Sequence, residues 1–433
     1  MLGHKGRLTV AALAAASVLA YAPDAGAQSL YDNLVELVRT QKQVKAAEAD
    51  LEAAKQRSES AWKKWYPELS VTGSYGVEKQ NNTTGTADTE GVPREVDVKL
   101  TQQLWDFGST NAGIRRSRLE TDRARANLMA ARQNIVLQGI DSHMSLIRAK
   151  KVLGFADGSV ANIRRQATLE DSRVQRGGGF TTDVLQAKTQ LAGAEARRTN
   201  FSAAFQNAIN NYRRYFNREP GKVDDMKDPR VPFELLPKTL DDVIKIVHEN
   251  NPGLKAARLD ADILRETISQ VRADEFFPTL NASAEQKRKQ DVGGTIGNEN
   301  EQLFKVELTY SLSLGLTERN TLRAAKGDHL ASTNRYIDNR DAIERATRDQ
   351  WSNLERDRLN AEFLKNQANI AAEFLELARR ERQLGKRSLI DVLAGETALI
   401  NANADATAAE TDIALDMFRL LNLMGQLEPE VVK

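Results

Sequence analysis

Charged side chains beside two glycine turns are the residues of this sequence best placed to do chemistry. Asp183 lies six residues after Gly177 and Asp391 six after Gly385; Lys386 and Arg387 occupy the second turn, and Arg173, Arg176, Arg379, Arg380 and Arg382 precede the two turns. If three copies formed a tube, each of these residues would become a ring of three. Rings of acidic and basic side chains at a constriction set ion selectivity and hold a gate. Helix capping and solvated surface charge account for the same residues, since unpaired amides and the helix dipole favour an Asp near an N-terminus. Gly177-Gly178-Gly179 is not a phosphate loop, because no Lys-Ser/Thr follows and no strand precedes it. No nucleophile-base pairing and no metal-ligand spacing stands out. The four histidines, at 4, 143, 248 and 329, are scattered, and cysteine is absent. The sequence therefore predicts no enzyme, no metal and no cofactor. Without thiols there are no disulfides and no acylated N-terminal cysteine.

The elements that would position those turns are long helices. A proline inside a helix removes a hydrogen bond and clashes with the preceding turn, and none occurs from Arg94 to Glu219 or from Thr279 to Glu428. From about Asn111 to Gln175 is roughly 65 residues, on the order of 100 Å at helical rise, too long for a compact globule. Heptad seams run through it and its counterpart: Leu153, Val160, Ala167 and Val174, then Phe363, Ile370, Leu377 and Leu384. The segments near Leu30 to Lys64 and Thr182 to Phe216 are about half as long, so two stacked end to end would match one long helix.

The chain also repeats itself at an offset of about 208 to 211 residues. Trp65-Tyr66-Pro67-Glu68-Leu69 returns as Phe276-Phe277-Pro278-Thr279-Leu280, and Gly177 with Asp183-Val184-Leu185 returns as Gly385 with Asp391-Val392-Leu393. Each half reads helix, strand, strand, long helix, helix. Leu69, Val71, Tyr75 and Val77 alternate with polar residues, as do Val96, Val98 and Leu100; in the second half Val306, Leu308, Tyr310, Leu312 and Leu314 alternate, and a weaker Leu280, Ala282, Ala284 set precedes them. Polar loops are expected at Glu78 to Arg94 and Arg288 to Gln302.

The N-terminus reads as a secretory signal over residues 1–27: Lys5 and Arg7, an apolar run from Leu8 to Ala20, then Ala25-Gly26-Ala27. No stretch reaches the roughly 18 apolar residues of a membrane helix. Basic residues number 61 and acidic 60, and removing the signal makes the two equal; such a balance gives no global bias toward nucleic acid. Alternation alone fits a half-buried sheet in a soluble domain equally well. Strands of about 10 residues, however, suit a tilted membrane strand. Four strands cannot close a barrel, and an open edge is not tolerated in lipid. Three copies would supply twelve strands, so the membrane reading requires a trimer.

In this context the whole mature chain resembles the TolC outer-membrane efflux protein family. The carrying residues are the duplicated halves, the Tyr/Phe-Pro-x-Leu strand entries, Leu104-Trp105-Asp106-Phe107-Gly108, Asn251-Pro252-Gly253-Leu254-Lys255-Ala256-Ala257, and the two Gly-x5-Asp-Val-Leu turns. The resemblance implies a mainly α fold with membrane β: a homotrimer with a twelve-stranded barrel and an α-helical periplasmic tunnel. It implies that the turns form a periplasmic aperture, with Asp391 matching the aperture acid, Arg387 the basic clasp residue and Asp183 the clasp's first-half partner. Ala394 stands where some members carry a second acidic ring, and Arg382 where an aromatic clasp residue is common. Gln41-Lys42 replaces the Asn-Pro pair in the first half, and Leu314-Gly315-Leu316 an aromatic-Gly pattern in the second.

The expected organisation is a signal at 1–27 and a first repeat at 28–220, with strands near 68–77 and 95–106 and helices near 111–217. A linker at 221–238 precedes a second repeat at 239–425, with strands near 279–288 and 303–314 and helices near 319–425, and a tail at 426–433. The expected site comprises Asp183, Arg382, Lys386, Arg387 and Asp391, with Gly177, Gly178, Gly179 and Gly385 at the tips. The expected role is a passive exit duct in the outer membrane of a Gram-negative bacterium, reaching into the periplasm. The partners implied are outer-membrane lipid, a periplasmic adaptor (membrane fusion) protein and an inner-membrane ABC, RND or similar pump. Exported small molecules or proteins would be the cargo of such an efflux or type I secretion system. A soluble periplasmic coiled-coil adaptor or scaffold, and a secreted cell-surface protein, are the rival readings.

Overall fold

The structure, a computed structural model, describes residues 29–81 and 88–433; the signal at 1–27 lies outside them. In chain order the elements are helices α1 (Leu30–Thr40) and α2 (Lys42–Lys63), strands β1 (Glu68–Tyr75), β2 (Glu78–Gln80), β3 (Thr89–Gly91) and β4 (Arg94–Trp105), then helices α3 (Ser109–Gln175) and α4 (Thr181–Phe216). After a linker with two short 3-10 turns come α5 (Leu240–Asn250), α6 (Pro252–Phe276), β5 (Thr279–Gln290), β6 (Asn298–Thr309), α7 (Thr317–Gln383) and α8 (Leu389–Leu423).

Helices α3 and α7 are each 67 residues, about 100 Å at 1.5 Å per residue. The shorter helices stack end to end beside them. At one junction the Asn251 carboxamide accepts from Leu254 N (2.9 Å) at the start of α6 and donates to Leu423 O (2.9 Å) at the end of α8, satisfying orphan groups of two helices at once. At the other, the Gln41 amide donates to Tyr215 O near the end of α4. Gln41 has an extended backbone, and so it breaks the segment from Leu30 to Lys64, expected as one helix, into α1 and α2. The largest apolar core lies at this level, where Leu34 and Leu37 of α1 and Val243 and Val247 of α5 meet Ile135 and Ile140 of α3 and Phe418 and Leu421 of α8. A Cβ at Gly139 would stand 2.5 Å from Leu37 Cδ2 and 2.6 Å from Leu34 Cδ2, so the glycine sets how closely α1 crosses α3.

Strands β1, β4, β5 and β6 form one antiparallel sheet in that order, and β2 and β3 form a small separate ribbon. The two halves of the chain are thus stitched through β4 and β5. The last strand departs from the expected 303–314. Its ladder runs from Asn298, paired with Gln290, to Thr309, paired with Thr279. Pro278, with no N–H to donate, precedes the start of β5, so Tyr310, Leu312 and Leu314 alternate beyond the ladder. Pairing also draws the polar residues Asn298 to Gln302 into the strand, and the expected loop shrinks to 291–297, where Asp291, Gly293, Gly294 and Gly297 have positive φ. The loop expected over Glu78 to Arg94 likewise contains the β2–β3 ribbon, and the residues 82–87 within it lie outside the description. No helix among the described residues is long and apolar enough to cross a membrane.

Candidate aperture at the helix-turn end

Both long helices end in the same backbone motif. At the first, Gly178 N donates to Arg173 O (2.9 Å) and Gly177 N to Val174 O (2.9 Å); at the second, Lys386 N donates to Glu381 O (2.9 Å) and Gly385 N to Arg382 O (3.0 Å). This pair of bonds satisfies the last carbonyls and requires a left-handed residue, which is why Gly177 (φ 78°) and Gly385 (φ 74°) stand there. A Cβ on Gly179 would come within 3.2 Å of Val174 Cγ2. The entries to the returning helices differ. Ser388 Oγ accepts from Asp391 N (3.3 Å) and caps α8, whereas the matching Phe180 before α4 offers no side-chain cap and is exposed.

These turns bring the two hairpins together at the far end from the sheet. Arg382, on the last turn of α7, reaches Glu170 of α3 (3.0 Å) and Asp183 of α4 (3.3 Å). Glu170 is 2% exposed and also binds Arg173 at 2.9 Å. Two carboxylates and two guanidiniums therefore neutralise one another across the seam. Arg382 further donates to Arg387 O (3.3 Å), fastening the second turn to the same centre.

Arg387 serves a different cluster. Its guanidinium lies 2.6 Å from Glu381 and 3.7 Å from Asp391, over the Phe374 ring. Its hydrogen bond to the Glu381 carboxylate raises its already high pKa, so it is a fixed cation. Within one chain, then, the structure pairs Asp183 with Arg382 and keeps Arg387 with the acids of its own hairpin. Lys386 forms no ion pair among the described residues. A second buried acid, Glu396 at 2% exposed, binds Arg379 and accepts from Asn162 Nδ2 (3.3 Å) of α3. Sequence spacing does not single out Glu170, Glu381, Glu396 or Asn162. The only hint is that Glu170 stands one turn before Arg173.

No group of three or more His, Cys, Asp or Glu able to hold a metal occurs among the described residues. His143 is buried in α3 and contacts Lys227 O at 3.0 Å; it anchors the linker rather than the tips.

At the opposite end the sheet has one strongly apolar face. Leu69, Val71, Phe304, Val306 and Leu308 are each more than 60% exposed. Below it, Phe107 stacks on Phe277 (5.0 Å) and Trp62 meets Tyr66 edge-on (5.3 Å). Asp106 fixes the passage from β4 into α3 by accepting from Gly108 N (3.0 Å) and Thr110 N (2.6 Å).

The model of the outer membrane efflux protein family matches residues 34–218 and 243–426. The chain belongs to the outer membrane efflux protein family. It is 23% identical over 361 residues to outer membrane efflux protein BepC of Brucella suis biovar 1, covering 82% of this chain and 77% of that protein. To outer membrane protein TolC of Vibrio cholerae serotype O1 it is 22% identical over 416 residues, 93% and 92% of the two chains. The crystal structure of the outer membrane protein VceC from Vibrio cholerae superposes with a TM-score of 0.78 at 17% identity, covering 92% of this chain and 96% of that one. This efflux protein thus has the TolC-like fold, is not an enzyme, and resides in the outer membrane of a Gram-negative bacterium, with its helices in the periplasm.

Proposed function

We propose that three copies close their sheets into one twelve-stranded barrel and serve as the exit duct of a tripartite efflux pump or a type I secretion system. The observation that carries this reading is the sheet itself: four strands with both edges, β1 and β6, unpaired, and one face of exposed apolar side chains. Such a sheet has no stable place in water or in lipid until its edges are joined. Strands of 12 residues reach about 40 Å, enough to cross an apolar band of roughly 25 Å when tilted.

Energy would come from an inner-membrane pump acting through a periplasmic adaptor, and conduction through the duct would be passive. The tips would form the gate. Rings of Asp391, Arg387 and Lys386 would line the narrowest passage, while Arg382 with Glu170 and Asp183 would hold the two hairpins of each subunit as one body. The test is outer-membrane fractionation followed by electrophoresis with and without boiling, then recording in planar bilayers. A heat-modifiable trimer that conducts supports the duct, and a detergent-free soluble monomer refutes it.

A further inference from the structure

The two faces of the sheet divide its charges in an unexpected way. All acids of the four strands share one face: Glu68, Glu95, Asp97, Glu285, and Glu299, Glu301 and Glu307 of β6. Lys99, Lys287, Lys289 and Lys305 stand on that face too. Three of the four lysines are paired there, with Lys287 at 2.7 Å from Glu285, Lys289 at 2.9 Å from Glu301 and Lys305 at 3.1 Å from Glu307. The opposite face bears Leu69, Val71, Val96, Val98, Leu100, Leu280, Phe304, Val306 and Leu308, and no carboxylate. Its only ionic groups in these strands are Arg94 and Arg288.

Both arginines lie at the end of the sheet away from the helices, beyond the apolar positions of their own strands. The register sets Val96 opposite Arg288 and Arg94 opposite Gln290, so the two are diagonal neighbours on one face. Both are exposed, and neither forms an ion pair among the described residues. Arg94 lies over the Tyr75 ring at 5.4 Å, an arrangement that fixes its direction without neutralising it. Two unmatched guanidiniums side by side repel each other unless an anion joins them, and arginine's planar fork suits phosphate oxygens.

We infer that Arg94 and Arg288 form a binding site for the phosphate groups of outer-leaflet glycolipid, one site per subunit at the outer rim of the barrel. The inference rests on the barrel reading above, which turns the apolar face toward lipid. The segregation by residue type agrees with it. Lysines, as hydrated point charges, stay on the water-filled side, while the weakly hydrated, bidentate arginines face the headgroup zone. In this position the site would fix the height of the barrel in the membrane and recruit a shell of anionic lipid.

The test uses the full-length protein purified from outer membranes in detergent, with phosphorylated lipid A and its dephosphorylated form as probes and native mass spectrometry as the readout. Arg94→Gln with Arg288→Gln should weaken retention of the phosphorylated lipid by about tenfold per arginine, while Lys99→Gln, on the other face, leaves it unchanged. Trimer formation, checked by heat-modifiable migration, separates the two readings. Intact trimers that retain the phosphorylated lipid as well as wild type, or wild type that retains the dephosphorylated lipid equally, overturn the site alone. Absence of a trimer in wild type overturns the barrel, and the site with it. If the glutamine pair fails to assemble, Arg94→Lys with Arg288→Lys serves instead; it keeps charge without the fork and should bind severalfold more weakly, and unchanged binding would refute the site.

Discussion

Replacing Arg382 by Met tests how the tips are held. The guanidinium is 20% exposed and bridges Glu170, 2% exposed, and Asp183, 26% exposed, at 3.0 and 3.3 Å. Removing one partner of a fully buried pair costs about 3–5 kcal/mol. Here Asp183 regains some solvent, and Glu170 keeps Arg173 at 2.9 Å, so the expected loss is about 2 kcal/mol, or roughly thirtyfold in a local opening equilibrium. The assay is amide hydrogen exchange on the assembled protein. Protection should fall by about that factor in the segments 170–186 and 378–391, while the core around Ile135 and Ile140 stays unchanged. Adding Asp183→Asn to Arg382→Met should restore much of the protection, because Glu170 still has Arg173 and the carboxylate left without a partner is then gone. Unchanged exchange at the tips in Arg382→Met would show that this network does not hold the hairpins together.

Three further outcomes are expected. Arg387→Ser removes the fixed cation beside Glu381 and Asp391 and should raise single-channel conductance in planar bilayers; an unchanged value removes Arg387 from the gate. Burial pushes the His143 imidazole below its ordinary 6.5, against the opposing pull of Lys227 O and Asp228. The unfolded chain therefore binds the extra proton first, and stability should drop as pH falls through about 6.5; His143→Gln should flatten that limb in melts at pH 5.5 and 7.5. Burial raises the Asp416 carboxyl above its ordinary 3.8, assisted by Asp357 and opposed by Gln350 and Arg419. The folded state then holds a proton that the unfolded chain releases, so this residue's handicap grows as pH rises above 3.8. Asp416→Asn should gain in melting temperature relative to wild type between pH 4.5 and 7.5, and a constant difference would refute the assignment.

Much of the fold is legible because its signals are local. The alternation of Leu69, Val71 and Tyr75, the proline-free runs, and the glycines that end α3 and α7 each report a backbone requirement of their own segment. The shift of β6 is not local. Asn298 to Gln302 carry no hydrophobic alternation, and they are strand because β5 offers partners from Gln286 to Gln290. The break at Gln41 is hidden for a similar reason, since a glutamine ends a helix here only because Tyr215 O is within reach of its amide. At the tips, the exposed charges beside the turns are visible in sequence, but the buried acids that organise them are not. Glu170 and its partner Arg382 are separated by 212 residues, and the internal repeat places Ala378 where Glu170 has its counterpart, so comparison of the halves conceals it.

A closed barrel requires that β6 of one subunit complete the sheet of the next through β1, the two edge strands of the sheet. The chain has no cysteine, so engineered pairs report unambiguously: Val71→Cys on β1 combined in turn with Val306→Cys, Leu308→Cys or Phe304→Cys on β6, oxidised in intact outer membranes. Closure predicts a covalent trimer on non-reducing electrophoresis for at least one pair, lost on reduction. Monomeric migration of every pair under oxidation would contradict it.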